Sequence, residues 1–197
     1  MSVKKTDKEI WKAIVSGQED GLTELFFRYG DMMMGYGISL CTKKELVKDC
    51  IQEVFLDIWR RKEKLPKVES VKYYLLTALR RQIFRSLKQD IRNLKREYSL
   101  EDFETASFEE VQIEQEQQTF RRKNLLTQIL HLPERQREII YLRFYQGFSH
   151  DEICQIMQIK KQAAWNLLSR AIKKLEVLMK NSPKTLPLLY FAQLFSN

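Results

Sequence analysis

LPERQREIIYLRFYQGFSHDEICQIMQIKKQAAWNLLSRAIKKLE, residues 132–176, decides the fold. Leu132-Pro133 stops the preceding helix, and Glu134 to Phe144 then reads as a new one with Ile139, Ile140 and Leu142 apolar. Gly147 ends it. Ser149 is a plausible N-cap, and Glu152 three residues on completes a capping box, so a short helix is expected over Asp151 to Met157. A tight turn, Gln158 to Lys160, leads into a longer helix from Lys160 to Lys180. Two such helices joined by about three residues make a helix-turn-helix.

Ile153, Ile156 and Ile159 are expected to bury the first helix and the turn, with Cys154 as the small residue where the helices cross. Ala164, Leu168, Ala171 and Leu175 form the buried stripe of the second helix. The opposite stripe is Gln162, Asn166, Ser169 and Lys173, with Lys160, Lys161 and Arg170 beside it. Gln and Asn pair bidentately with adenine, Ser bonds base edges or phosphate, and Lys and Arg neutralise phosphates. Those are the side chains a major-groove helix needs, although a solvated amphipathic helix shows similar polarity. Trp165 reads two ways: it packs at the domain edge, or it presses on a thymine methyl or the sugar-phosphate backbone.

Charge divides the chain. Lys and Arg number 34 against 26 Asp and Glu, for a net +8 that favours a polyanionic partner. Counted along the sequence, residues 1–96 carry +8, residues 97–118 carry −8 with no basic residue at all, and residues 119–197 carry +8. Two basic blocks joined by an acidic strip suggest two nucleic-acid-binding modules and a connector that phosphate repels. The expected organisation is a domain over 1–96, a flexible acidic linker over 97–118, a helix-turn-helix domain over 119–182 and an apolar tail over 183–197. Leu125, Leu126, Ile129 and Leu130 open the second domain. With only 6 Gly and 4 Pro, turn-dense β architecture lacks material, so the fold class is all-α.

In the first domain, periodicity begins at Lys8 and Trp11, pauses at Gly17 and resumes from Leu22, Leu25 and Phe26 through Met32 to Met34 and Ile38, as a pair of packed helices. The methionines read as gap-filling core rather than an adaptable binding surface. A helix from Lys43 to Glu63 buries Val47, Ile51, Val54 and Ile58, and Pro66 follows its end. Another face collects Asp49, Gln52, Glu53, Leu56 and Arg60. That stripe reads equally as a docking face for another helix or as a solvated face that holds a leucine. A helix from Ser70 to about Lys95 begins with Val71, Tyr73, Tyr74, Leu75 and Leu76 and turns basic through Arg80, Arg81, Arg85, Lys88, Arg92, Lys95 and Arg96, opposed only by Asp90. Single-signed charge behind aromatics suits a protein that holds backbone phosphates and stacks unpaired bases.

Other classes find little support. Cys41, Cys50 and Cys154 are odd in number and set among apolar neighbours, which indicates reduced core thiols. His131 and His150 sit singly at helix ends, with no Gly-rich phosphate loop and no metal-ligand spacing, so neither catalysis nor a cofactor nor a small-molecule substrate is expected. MSVKKTDKEIW lacks a signal-peptide core, and the tail SPKTLPLLYFAQLFSN is too short to span a membrane, so a cytoplasmic protein is expected. The tail is expected to pack back on the second domain, the alternative being contact with an inhibitor.

Residues 132–176 resemble region 4 of the extracytoplasmic-function (ECF) sigma factors of the sigma-70 family. KELVKDCIQEVFLDIWRRKEKL, residues 44–65, resembles their region 2 helix, and YYLLTALRRQIFRSL resembles the part that handles the minus-10 element. The resemblance implies an alternative sigma factor whose partners are RNA polymerase core, through the β′ clamp and β flap, and double-stranded promoter DNA, with an anti-sigma factor as a further candidate. It assigns core binding to Asp49, Gln52, Glu53, Leu56 and Arg60. It assigns the minus-10 DNA to Tyr73, Tyr74, Arg80, Arg81, Arg85 and Lys88. For the minus-35 DNA it implies Lys160, Lys161, Gln162, Trp165, Asn166, Ser169, Arg170 and Lys173, with Arg143 near the DNA backbone or the flap.

Ala164-Trp165-Asn166-Leu167 departs from the Val-Lys-Ser-Arg common in the family, so two usual charges are missing and the recognised sequence is expected to differ. Gln158 stands where Gly or Asn is frequent, at a cost of about 1 kcal/mol if its φ is positive. The rival reading is a helix-turn-helix regulator that binds a palindrome as a homodimer without polymerase.

Overall fold

The structure, a computed structural model, describes residues 5–97 and 129–180. The chain divides into two compact units, Met1–Arg96 and Glu97–Asn197. Among the described residues every regular element is helical. All of the acidic strip except Glu97, together with Leu125, Leu126 and the apolar tail, lies outside the described residues.

The first unit holds α1 (Asp7–Val15), α2 (Glu19–Leu40), α3 (Lys44–Arg60), a 3-10 turn (Lys62–Lys64) and α4 (Val71–Glu97). Thr6 caps α1 and Glu9 returns the bond, which satisfies two amide donors that a helix start leaves orphaned. Ile10, Trp11 and Ile14 are the buried face of α1. Leu25, Met33, Tyr36 and Leu40 are the fully buried side chains of α2, so the central methionine is core as expected. Val47, Ile51, Val54 and Ile58 are all buried, as the 3.6-residue period requires. The α3 helix is shorter than expected: it stops at Arg60, and the chain tightens into the 3-10 turn before Pro66.

Val71, Leu75, Leu76, Leu79 and Ile83 bury one side of α4. The helix and the segment that leads into it are tied to α1 and α3 by further contacts. Trp11 Nε1 donates to the Pro66 carbonyl at 3.1 Å, and the Trp11 ring meets Tyr74 edge-on with centroids 5.0 Å apart. Near the middle of α4, Ser86 Oγ lies 3.5 Å from Cys50 Sγ on α3.

The second unit holds α5 (Glu134–Ile140), a π-helical turn (Tyr141–Tyr145), α6 (His150–Met157) and α7 (Lys161–Lys180). The single helix expected over Glu134 to Phe144 is therefore two segments, with the backbone widening at Tyr141. Within the π turn, the rings of Tyr141 and Tyr145 stack at 5.3 Å with planes 8° apart. Gly147 follows at φ +69°, where a glycine backbone is unstrained. No described helix is long and apolar enough to cross a membrane.

Candidate functional site

The polar stripe of α3 is built as the spacing requires. Asp49, Gln52, Leu56 and Arg60 are exposed and Glu53 is half-buried, with Leu56 46% accessible. Arg60 is not a free cation: its guanidinium lies 2.9 Å from Glu53 and 3.8 Å from Asp57. These exposed pairs contribute little stability.

Sequence reasoning missed the apolar neighbour of that stripe. Phe55, next to Leu56, is buried and meets Phe26 edge-on at 5.3 Å, while Phe26 and Phe27 remain 45% and 80% exposed. In the sequence Phe26 is one of the periodic apolar positions of a helix, and Phe27 has no signal except its position beside it.

On α4, Arg81, Arg85 and Lys88 are exposed at spacings of four and three, which places them on one face. Arg80 sits over the Phe84 ring at 4.6 Å. Tyr73 and Tyr74 are half-buried. Burial pushes the Tyr74 hydroxyl pKa up, with Arg61 opposing, Asp57 assisting and Arg81 opposing. The Tyr74 ring is thus half-buried and edge-on to Trp11, and Arg61 and Arg81 are near enough to act on its hydroxyl. Such a ring offers a fixed aromatic surface beside positive charge.

In the second unit, Ser149 caps α6 and Glu152 completes the box, with the Ser149 amide donating to Glu152 Oε2 at 2.7 Å. Gln158 takes φ 55°, the left-handed geometry that the turn demands. Ile153, Cys154 and Ile156 are buried as expected, but Ile159 is only half-buried and Met157 is buried instead. The turn at Gln158 reverses the chain before Ile159 reaches the core, so the last helical residue inward is Met157. Ala164, Leu168, Ala171 and Leu175 bury α7.

The opposite face of α7 is open. Lys160, Gln162, Asn166, Ser169, Arg170 and Lys173 are all exposed, and Gln162 Nε2 donates to Asn166 Oδ1 at 3.3 Å. Lys161 is exposed too, but its ammonium lies 2.7 Å from Asp151, and that hydrogen bond is the main reason its pKa is raised. Trp165 is 59% exposed and stacks on the ring of His150 with centroids 4.5 Å apart. Trp165 thus packs on His150 at the domain edge and leaves more than half of its surface open to a partner. Arg143, on the π turn, is exposed and donates to the Phe148 carbonyl at 3.0 Å. His150 gave no sequence signal beyond standing at a helix start.

The sigma-70 region 2 family model matches residues 25–93, and the sigma-70 region 4 model matches residues 122–175. The chain belongs to the sigma-70 family and is a sigma factor of transcription initiation, a class that works by binding polymerase and DNA rather than by catalysis. Solved structures of similar fold include RpoE and CnrH. The sigma factor RpoE from Bartonella quintana, solved with the anti-sigma factor NepR, is 19% identical with TM-score 0.60, covering 81% of this chain and 97% of its own. CnrH, solved with the cytosolic domain of CnrY, is 19% identical with TM-score 0.60, covering 89% of this chain and 99% of its own. At that identity the likeness is one of fold. A search of curated proteins found no match.

Proposed function

We propose that this sigma factor belongs to the ECF group and docks on RNA polymerase core through the α3 stripe. The observation that carries this reading is Leu56, 46% exposed inside a ring of polar side chains on an otherwise well-packed helix. A leucine there costs solvation in the free protein and repays it when a partner helix covers it. Asp49, Gln52, Glu53 and Arg60 supply the polar rim that orients a coiled coil of the β′ clamp.

Arg81, Arg85 and Lys88 then follow the DNA backbone at the minus-10 element, with Tyr73, Tyr74 and Arg80 at the place where a base leaves the stack. Base–aromatic stacking of about 1–3 kcal/mol offsets unpairing. In the second unit α7 enters the major groove at the minus-35 element. Gln162, Asn166 and Ser169 face base edges with Trp165 flanking them, and Lys160, Arg170 and Lys173 face phosphates, with Lys161 at the rim. Arg143 lies beside the DNA backbone or the β flap.

The acidic connector stays off the DNA, and polymerase sets the distance between the two units. Two weak contacts become one bivalent engagement, so the free protein binds promoters poorly. The structures of similar fold solved with protein partners support an inhibitor of the anti-sigma type for this chain as well.

Binding of the full-length chain to purified core polymerase tests the docking surface. Leu56→Arg is expected to weaken core binding by at least about tenfold with unchanged thermal unfolding, the scale of a lost interface anchor. Parental affinity in that variant would remove the stripe from the interface.

A further inference from the structure

Trp165 is 59% exposed, yet its indole has a fixed neighbour. It stacks on the His150 imidazole with centroids 4.5 Å and planes 29° apart. His150 opens α6 and Trp165 lies on α7, so the stack joins the two helices of the motif. The imidazole is located in turn: its Nε2 lies 3.2 Å from the Lys161 carbonyl oxygen. Asp151, the next residue, holds the Lys161 ammonium at 2.7 Å. An exposed indole otherwise samples several rotamers, and ordering it on binding costs free energy. Trp165 follows Gln162 by three residues and precedes Ser169 by four, so it flanks their stripe on the side towards α6.

We propose that His150 is a positioning residue for Trp165, holding the indole so that it packs on a thymine methyl and sets base preference at one position of the upstream promoter element. The proposal rests on the reading that α7 enters the major groove. An indole face is a large rigid apolar surface, and the thymine methyl is the apolar feature that distinguishes one base pair in that groove. His150 acts through the stack and touches no base itself.

The test uses the full-length chain with core polymerase, on promoter templates randomised over the upstream element. The parent is expected to favour thymine at one position by about tenfold, the scale of one base contact. Trp165→Ala abolishes that preference, and His150→Ala lowers it to about threefold with other positions unchanged. The double variant matches Trp165→Ala alone, because His150 works only through the indole. His150→Phe retains a ring to stack on and keeps most of the preference. Trp165 emission, read as the difference between each protein and its Trp165→Phe counterpart, shifts to the red in His150→Ala.

Unchanged thymine preference in His150→Ala, additive losses in the double variant, or a weakening that is uniform over all templates would each overturn the proposal. If His150→Ala fails to fold, His150→Phe decides: a loss as complete as in Trp165→Ala counts against the stack. Gln162→Ala and Asn166→Ala separate this inference from the reading beneath it. If they shift preference while the His150 and Trp165 variants do not, the stack alone is wrong. If none of them shifts preference, α7 does not read DNA.

Discussion

The α-carbon of Gly37 on α2 faces Val47 on α3 so closely that a methyl placed there would lie 2.2 Å from Val47 Cγ1. No real pair of carbons tolerates that separation, and the nearest obstacle is a stiff β-branched side chain in the core. Gly37 thus sets how close α2 and α3 approach, and with it the placement of the stripe that carries Leu56. Gly37→Ala is expected to destabilise the first unit by about 1–2 kcal/mol, with overpacking outweighing the gain in helix propensity. Chemical denaturation measures it, and Val47→Ala in the same chain should recover part of the loss. An unchanged midpoint in the single variant would mean that the two helices are not in contact at that point.

Gln158 adopts φ 55° between α6 and α7. A side chain there is strained, and glycine relieves the strain while adding freedom to the unfolded chain. Gln158→Gly is expected to raise the stability of the second unit by about 0.5–1 kcal/mol. A fall in melting temperature would show that the glutamine side chain holds the turn.

A cluster between α1 and α2 is expected to respond to alkali. Arg28 lies 2.8 Å from Asp7 and 3.0 Å from Glu24, and the Tyr29 hydroxyl donates to Asp7. Burial, and then the hydrogen bond to Asp7, pushes the Tyr29 pKa well above its ordinary 10.0. A phenol whose folded pKa is raised contributes stability that is complete below the unfolded value and is lost as pH rises above it towards the folded one. Stability should therefore decline above about pH 10, and the decline should be shallower in Tyr29→Phe. Denaturation midpoints across pH 8 to 11.5 compare the two proteins, and parallel curves would detach the hydroxyl from stability.

Much of this was legible because it is local and periodic. The buried stripe at Val47, Ile51, Val54 and Ile58 follows from helical spacing, and the cap at Ser149 follows from one side chain meeting an amide three residues on. The open stripe of α7 follows from the same period. What sequence could not give depends on partners distant along the chain. The π turn at Tyr141 leaves no mark on the hydrophobic pattern, and Met157 replaces Ile159 inside because the turn reverses direction. Buried Arg137 and Glu138 run against the ordinary expectation for charged residues, and Arg137 is accommodated by donating to the Leu130 carbonyl at 3.0 Å. The aromatic surface of Phe26 and Phe27 and the stack of His150 on Trp165 both require two helices to meet before either is visible.

Transcription reconstituted from purified parts bears on the polymerase-dependent reading most directly. The full-length chain is combined with core polymerase and genomic templates, and run-off transcripts are mapped to their start sites. Transcripts that need both the chain and a shared upstream sequence are expected, and Leu56→Arg is expected to lose them. No chain-dependent transcript from any template, under conditions where the same core responds to another sigma factor, would contradict it.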